Sequence, residues 1–227
     1  MINQKLMSKR VIIYGDIHGC LDELIALRHK IAPKKGDIEI SVGDLISKGP
    51  KDLETLEYII QEKIIVVRGN NDDRLLHKNP EMFSEKQQSF LASLPFFYRV
   101  KNLTIIHAGI TPLINLANLS EEEEQELTKV RYLDKNYRLL KPKEWEKNFC
   151  YWSEVYDGRE GFIVYGHHVF DRVREDKYSL GVDTGCVFGK ELTAAVFKYS
   201  KKSIDTDSYE TISQQAFKVY FESKKMK

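Results

Sequence analysis

The stretch that decides the fold is residues 11–19, which read VIIYGDIHG. A short apolar run stops at Gly15-Asp16, and the apolar residues over 21–31 then recur at helical spacing. Outward from it the pattern repeats, with apolar runs at 38–42 and 64–67 and a second helical pattern over 53–60. Strand–helix–strand–helix–strand predicts parallel strands joined by crossover helices.

The second half of the chain is predicted to be richer in strands. Ser84 with Gln87, and Ser120 with Glu123, fit the capping box that begins a helix. The second box opens a charged stretch that runs to about Leu140. The apolar runs that predict strands are 103–106, 162–165, 180–182, 192–199 and 216–221. We expect a single domain over residues 1–227, with a frayed tail at 224–227.

Composition and charge exclude several classes of protein. The chain has 35 Lys+Arg and 34 Asp+Glu, which argues against bulk electrostatic binding to nucleic acid or membrane. It contains no apolar run long enough to span a bilayer, and residues 1–10 lack the apolar core of a secretory signal. Its three cysteines are too few and too scattered for a disulfide framework. We therefore expect a cytoplasmic protein.

Residues able to bind metal follow one predicted strand after another. Each of five apolar runs ends in a glycine-containing turn with a carboxylate, amide or imidazole beside it. Strand carboxyl ends line the ligand crevice of open α/β sheets, so these side chains are expected to converge. The candidate metal ligands are Asp16, His18, Asp44, Asn70, His107 and His167.

The donor set indicates which metals and how many. Oxygen and imidazole donors without a thiolate suit Mn²⁺, Fe²⁺ or Zn²⁺, and we expect Mn²⁺. Six protein ligands are too many for one metal ion that keeps an open coordination position. They suit two metal ions, with Asp44 as the ligand that bridges them. Two ions roughly 3.5–4 Å apart can clamp a phosphoryl group and activate water. Taken singly, each residue fits a helix cap, a turn or a hydrogen-bonded core histidine, but packing needs alone do not explain five such strand ends.

The set of motifs resembles the calcineurin-like metallophosphoesterases, in the branch of phosphoprotein phosphatases and diadenosine tetraphosphatases. The resemblance covers about residues 11–197. The matching stretches are GDIHG (15–19), GDLISKGP (43–50), RGNND (68–72), HAG (107–109), VYGH (164–167) and DTGCVFG (183–189). The resemblance implies an α/β fold in which a two-sheet β-sandwich is flanked by helices in four layers. It also implies that Asp16, His18 and Asp44 hold one metal, and that Asp44, Asn70, His107 and His167 hold the other.

Roles in substrate binding and catalysis follow from the same resemblance. Arg68 is expected to clamp phosphate, since its planar fork suits phosphate oxygens. Lys48 and Asn70 are expected to contact substrate as well. Arg68, Asn71 and Asp44 are the candidate catalytic residues. The alternative interpretation of Arg68 is a surface salt bridge.

Two departures from the family pattern concern the leaving group. Ser47 and Lys48 stand where the family has Asp-Arg, and Asn71 stands where it has the His proposed as general acid. General acid catalysis raises the rate of a reaction by about 10²–10⁴-fold. An alkoxide leaving group depends on that acceleration more than a nucleotide phosphate does. His77 and His168 are candidate substitutes for the missing acid.

The sequence therefore predicts a dinuclear metal-dependent phosphohydrolase that acts on phosphate anhydrides or esters, with a dinucleoside polyphosphate or another nucleotide favoured as substrate. A Ser/Thr protein phosphatase acting on a phosphoprotein is the first alternative. A non-catalytic binding module with the same fold is the second. An aromatic cluster, Tyr151, Trp152 and Tyr156, is interpreted as core, with base stacking as its alternative.

Overall fold

The computed structural model describes residues 9–199 and 202–222, which contain twelve strands and six α-helices. The strands are β1 (Lys9–Tyr14), β2 (Ile38–Ser41), β3 (Ile65–Val66), β4 (Phe97–Val100), β5 (Leu103–Ile106), β6 (Tyr132–Leu133), β7 (Cys150–Tyr151), β8 (Phe162–Tyr165), β9 (Arg174–Asp176), β10 (Ser179–Gly181), β11 (Glu191–Tyr199) and β12 (Ile204–Gln215). The α-helices are α1 (Leu21–Ile31), α2 (Asp52–Glu62), α3 (Asn70–Lys78), α4 (Glu85–Ala92), α5 (Glu121–Glu126) and α6 (Trp152–Val155). The tail predicted to fray, 224–227, lies outside the described residues.

Ten of these strands form two five-stranded mixed sheets. The first has the order β12-β11-β1-β2-β3, and β1, β2 and β3 are parallel with α1 and α2 as their crossovers, as the strand–helix pattern predicts. The second has the order β4-β5-β8-β10-β9, in which β5, β8 and β10 are parallel. The carboxyl ends of the parallel strands carry the predicted metal ligands, so the topology itself decides where the site forms.

The alternation of side chains along β1 shows how the layers are held together. Val11 and Ile13 pack in the core between the two sheets, whereas Ile12 and Tyr14 pack in the core shared with α1 and α2. On the outer side of the second sheet, Tyr165 packs against Trp152 of α6. The predicted sandwich of two sheets flanked by helices in four layers is therefore confirmed.

Local signals at helix starts are confirmed as well. Ser84 and Ser120 each accept a hydrogen bond from the backbone N–H three residues later, and Gln87 and Glu123 complete the two capping boxes. The helix that Ser120 begins ends at Glu126, and the rest of the charged stretch forms β6 and irregular segments. None of the described helices combines the length and the hydropathy that a membrane crossing requires.

The chain after β11 differs from the prediction. The run 216–221 is not a strand, because the backbone N–H of Phe217 and the hydroxyl of Tyr220 donate to the Glu23 carboxylate on α1. The strand lies just before it, in β12, which pairs with β11. β12 is mostly polar because it is an edge strand with much of its length exposed to water, so its apolar pattern is weak.

Candidate metal centre

A cavity of about 340 Å³ opens where the carboxyl ends of the two sheets meet. Of the predicted metal ligands, His18, Asp44, Asn70 and His167 line it. Asp16 and His107 lie behind them, where they are almost completely buried. Residues from five strand ends on two sheets are thus brought to one place, as their positions in the sequence predict.

Asp16, His18 and Asp44 form the first of two ligand groups at this cavity. One ligand atom from each lies within 4.8 Å of the others. Nδ1 of His18 lies 3.1 Å from the carbonyl oxygen of Ile46, which can only accept, so Nδ1 carries the proton. Nε2 of His18 therefore accepts from the Lys48 ammonium at 3.0 Å, and it lies 3.6 Å from Asp44 Oδ2 and 4.0 Å from Asp16 Oδ2.

The second group shares Asp44 and adds His107 and His167, again within 4.8 Å. Nδ1 of His107 donates to the Val42 carbonyl oxygen at 2.8 Å, which leaves Nε2 as an acceptor. That nitrogen lies 3.0 Å from Asn70 Oδ1 and 3.5 Å from Asp44 Oδ1. Lone pairs that face one another without a proton between them repel, and a cation between them removes the repulsion. The residues therefore fit divalent metal.

Asp44 is held by Asn71 from the neighbouring helix. The backbone N–H of Asn71 donates to Oδ1 at 2.8 Å, and its side-chain amide donates to Oδ2 at 2.6 Å. Burial alone would raise the pKa of Asp44, but His107, His18 and Asn71 together lower it below its ordinary value. The carboxylate common to both groups is thus kept charged and fixed in direction.

Burial sets the charge of the other ligands. It lowers the pKa of His18 to about 4, and it also lowers the pKa values of His107 and His167. These imidazoles are therefore neutral near pH 7, which is the form that binds metal. The pKa of Asp16 is raised, chiefly by burial and then by the negative charges of the neighbouring Asp183 and Asp44. Bound cations would compensate that charge.

The backbone at the site is strained. His18, Asp44, Ser47, Lys48 and His167 all have positive φ, between 48° and 85°, although none is glycine. Such conformations cost about 1–3 kcal/mol each and persist where surrounding contacts enforce them. Here the enforcing contacts include hydrogen bonds from the backbone N–H of His18 to Asp44 O and from that of His167 to Asp16 Oδ1.

Glycines permit the close approach of the strand-end turns. A Cβ at Gly69 would collide with the backbone nitrogen of Asp44, and a Cβ at Gly166 would collide with the Asp16 carboxylate. At these two positions glycine is therefore needed for packing between turns.

Arg68 lies elsewhere than expected. Its guanidinium donates to the carbonyl oxygens of Ala92 and Leu94 and to Asp73 Oδ1, and it does not line the cavity. The expectation that Arg68 clamps phosphate is therefore not supported by the structure. Its donors instead join the start of α3 to the end of α4. The sequence placed it next to Gly69, but the direction of its side chain depends on α4.

Lys48 lies at the cavity as expected, with its ammonium 3.0 Å from Nε2 of His18. Ser47 and Asn71, which replace the family's Asp-His pair, are joined through Arg74, since Nη2 of Arg74 donates to Ser47 Oγ at 3.2 Å and to Asn71 Oδ1 at 3.0 Å. A permanently charged guanidinium cannot supply a proton. The structure thus brings together the positions of the missing pair and places no general acid between them.

Of the two candidate substitute acids, His168 lines the cavity and His77 does not. The His77 ring is 68% exposed on α3, where its Nδ1 approaches the Asp73 carbonyl oxygen. The His168 ring packs against Tyr151 and Phe170, and burial lowers its pKa to about 4. A neutral imidazole is a very weak acid, so the half-buried His168 is a poor proton donor near pH 7.

Arg131 is the functional residue that the sequence did not reveal. It lines the cavity, donates from Nη2 to the His167 carbonyl oxygen at 2.9 Å, and keeps a buried Nε without a hydrogen-bond partner among the described residues. No strand-end glycine accompanies it, so the pattern that found the ligands could not find Arg131. Asp183, from the DTGCVFG stretch, also lines the cavity.

Two further features lie near the site. Asp72 and Asp73 belong to the first turn of α3, which begins at Asn70. Asp72 accepts from the backbone N–H of Ile46. Tyr151, Trp152 and Tyr156 are at most 9% exposed, which confirms their interpretation as core.

A third group of ligand-type side chains, Cys20, Glu23 and Cys186, lies outside the cavity and is fully buried. Cys20 directly precedes α1, and Cys186 begins a 3-10 turn three residues after Asp183. The group packs the turn after His18 against the turn after Asp183, and it contributes no atom to the metal cavity.

Comparison with known proteins agrees with this geometry. A family model described as calcineurin-like phosphoesterase matches residues 9–204. The chain is 32% identical over 186 residues to the symmetrical bis(5'-nucleosyl)-tetraphosphatase of Neisseria meningitidis, covering 70% of this chain and 64% of that protein. It therefore spans less than two thirds of that relative. It is 27% identical over 228 residues to bis(5'-nucleosyl)-tetraphosphatase PrpE, asymmetrical, of Bacillus subtilis, covering 82% of this chain and 89% of that protein.

Two solved structures are similar in fold. One, described as "Crystal structure of a putative diadenosine tetraphosphatase", has a TM-score of 0.75 and 26% identity, and covers 92% of this chain and 95% of that one. A serine/threonine phosphatase from Saccharomyces cerevisiae has a TM-score of 0.66 at 14% identity, covering 95% of this chain and 82% of that one. The second likeness shows the shared fold alone.

Proposed function

The chain belongs to the calcineurin-like phosphoesterase family, and from that premise we propose that it is a metal-dependent phosphohydrolase that cleaves phosphate anhydrides, with a dinucleoside polyphosphate as its substrate. The observation that carries the proposal is the pair of ligand groups that share Asp44, each with its ligand atoms within 4.8 Å of one another. The relatives named bis(5'-nucleosyl)-tetraphosphatase support the choice of substrate.

Asp16, His18 and Asp44 would hold one divalent ion, and Asp44, Asn70, His107 and His167 would hold the other. When bound, two such ions polarise a phosphoryl group and lower the pKa of the attacking water. Mn²⁺ is the proposed metal, and Fe²⁺ and Zn²⁺ are compatible with the same oxygen and imidazole donors.

Arg131 is the proposed phosphate clamp in place of Arg68. Its guanidinium lines the cavity, and burial lowers its pKa, so its charge is poorly solvated without an anion. Phosphate oxygens would satisfy its unpartnered Nε. Lys48 and the Asn70 amide, which line the same cavity, would contact the phosphates next to the one attacked.

The leaving group decides between an anhydride and an alkyl ester. At the position of the family's acid, Asn71 holds Asp44 and Arg74 occupies the space beside Ser47. Without a proton donor there, a nucleotide phosphate leaves more easily than a serine alkoxide, because it is already a stable anion near neutral pH. Water adds to phosphorus, the P–O bond of the anhydride breaks, and the proton released goes to solvent.

The test compares substrates and metals on the purified chain. We expect hydrolysis of diadenosine tetraphosphate with Mn²⁺, loss of turnover with a chelator, recovery on adding the metal back, and slower turnover of a phosphoserine peptide. Chromatography of the products identifies symmetrical cleavage (two ADP) or asymmetrical cleavage (ATP and AMP). A clear preference for the peptide would instead indicate a protein phosphatase, and zero turnover with metal demonstrably bound would indicate a binding module.

A further inference from the structure

A second cavity, of about 400 Å³, opens beside the metal cavity. The two share Asn70, Arg131 and His167 as lining residues, so they adjoin each other at those side chains. A ligand held by its phosphate at the metal centre can therefore place its next chemical group in the second cavity.

The second cavity is lined by apolar and by cationic side chains. Leu139, Leu140, Pro142 and Trp145 supply apolar surface, whereas Lys129, Arg131 and Lys141 supply positive charge. A flat aromatic group attached to a chain of phosphates matches both features, because the aromatic group fills apolar space and the phosphates meet the cations. On the basis of the phosphohydrolase function proposed above, we infer that this cavity binds a nucleobase of the substrate and that Trp145 is the ring on which the base stacks.

The indole of Trp145 is held in place before any ligand arrives. Its Nε1 donates to the Leu140 carbonyl oxygen at 3.2 Å, and the Tyr132 ring meets it edge-on at 5.5 Å between centroids. The Arg131 guanidinium lies 5.0 Å from the indole centroid. Indole and guanidinium planes both stack with bases, and a ring fixed in advance loses little conformational entropy on binding.

Arg131 connects the two cavities chemically. The same guanidinium that lies over Trp145 donates to the backbone of His167, a proposed metal ligand. A nucleotide would therefore contact one cation through both its phosphate and its base. The other tryptophan, Trp152, is fully buried in the core and cannot stack with a ligand.

The experiment measures binding of AMP to the full chain by calorimetry, without and with Mn²⁺. Trp145→Ala should weaken AMP binding by about 5–150-fold, the range that 1–3 kcal/mol of base–aromatic stacking gives. Trp145→Phe keeps a ring and should retain most of the affinity, which separates stacking from misfolding. Ribose 5-phosphate, which lacks the base, should bind the wild type and Trp145→Ala alike. Phe217→Ala removes an exposed aromatic side chain that lines neither cavity, and it is the matched control.

Kinetics separate this inference from the proposed function. Trp145→Ala should lower kcat/KM for diadenosine tetraphosphate, mainly through KM, by a much larger factor than it lowers kcat/KM for inorganic tripolyphosphate, which has no base. Equal AMP binding by the wild type and Trp145→Ala overturns the inference, even where the tetraphosphate is hydrolysed. If the wild type hydrolyses neither substrate, the proposed function fails, and the AMP and ribose 5-phosphate measurements still decide the role of Trp145.

Discussion

The metal cavity and the Trp145 cavity adjoin each other but are built in different ways. In the metal cavity, ligands from five buried strand ends are fixed by backbone groups such as Val42 O and Ile46 O, and several lie at strained φ. The Trp145 cavity is lined chiefly by residues 129–145, which include irregular segments and a 3-10 turn at Pro142–Lys147. The Trp145 indole donates a hydrogen bond to the Leu140 carbonyl oxygen of the same segment.

The difference separates chemistry from recognition. Strand ends buried between two sheets hold charged groups rigidly, which suits the proposed pair of cations and the phosphate between them. Side chains of a peripheral segment can be substituted without disturbing the sheets. Such a segment is therefore suited to determine which substrates bind. Changes in the metal cavity should therefore affect every substrate, whereas changes at Trp145 should affect most strongly those with a base.

The largest effect is expected from Asp44→Asn. The variant loses the charged carboxylate common to both ligand groups, so we expect at least about a 10³-fold loss of turnover on diadenosine tetraphosphate and tripolyphosphate alike, the equivalent of several kcal/mol of metal-derived stabilisation. Metal content should fall in the same sample. Asp37→Asn is the control. It changes a carboxylate that pairs with Arg10 and belongs to neither ligand group, so this variant should keep its metal. Full metal content and turnover in Asp44→Asn would contradict the shared-ligand assignment.

Arg131→Ala should have the next largest effect, because this side chain lines both cavities. Loss of one preorganised donor to a phosphoryl group typically costs about 10²–10³-fold in kcat. We expect that loss on tripolyphosphate as well as on the dinucleotide, with unchanged metal content. A loss confined to the dinucleotide would place Arg131 on the base side only.

Arg68→Ala should have the smallest effect on activity, and it sharpens the contrast with Arg131. Its bonds to Ala92, Leu94 and Asp73 join α3 to α4, so their removal should lower the free energy of unfolding by about 1.5–3 kcal/mol. Denaturant unfolding measures this loss, and kcat/KM of the folded variant should stay at the wild-type value. A variant of normal stability that has lost turnover would return Arg68 to the phosphate site.

Sequence patterns were most informative where local rules and the fold agree. The capping boxes at Ser84 and Ser120, the crossover helices and the strand-end turns all depend on neighbouring residues, so they could be predicted. β12 could not, because an edge strand with an exposed face needs no apolar alternation. The orientation of the Arg68 side chain and the position of Arg131 at the cavity depend on elements that are distant in the sequence, so no local spacing predicts them.

By itself, the sequence determined the donor chemistry of the centre, since carboxylate, amide and imidazole at successive strand ends are properties of residue type and order. Tertiary structure alone decided which guanidinium lines the metal cavity and which aromatic ring lines the cavity beside it. The physical reason is that a ligand turn is fixed by its own glycine and strand, whereas Arg131 and Trp145 are oriented by partners such as His167 and Leu140. Those partners come close only once both sheets and the segment 129–145 have packed together.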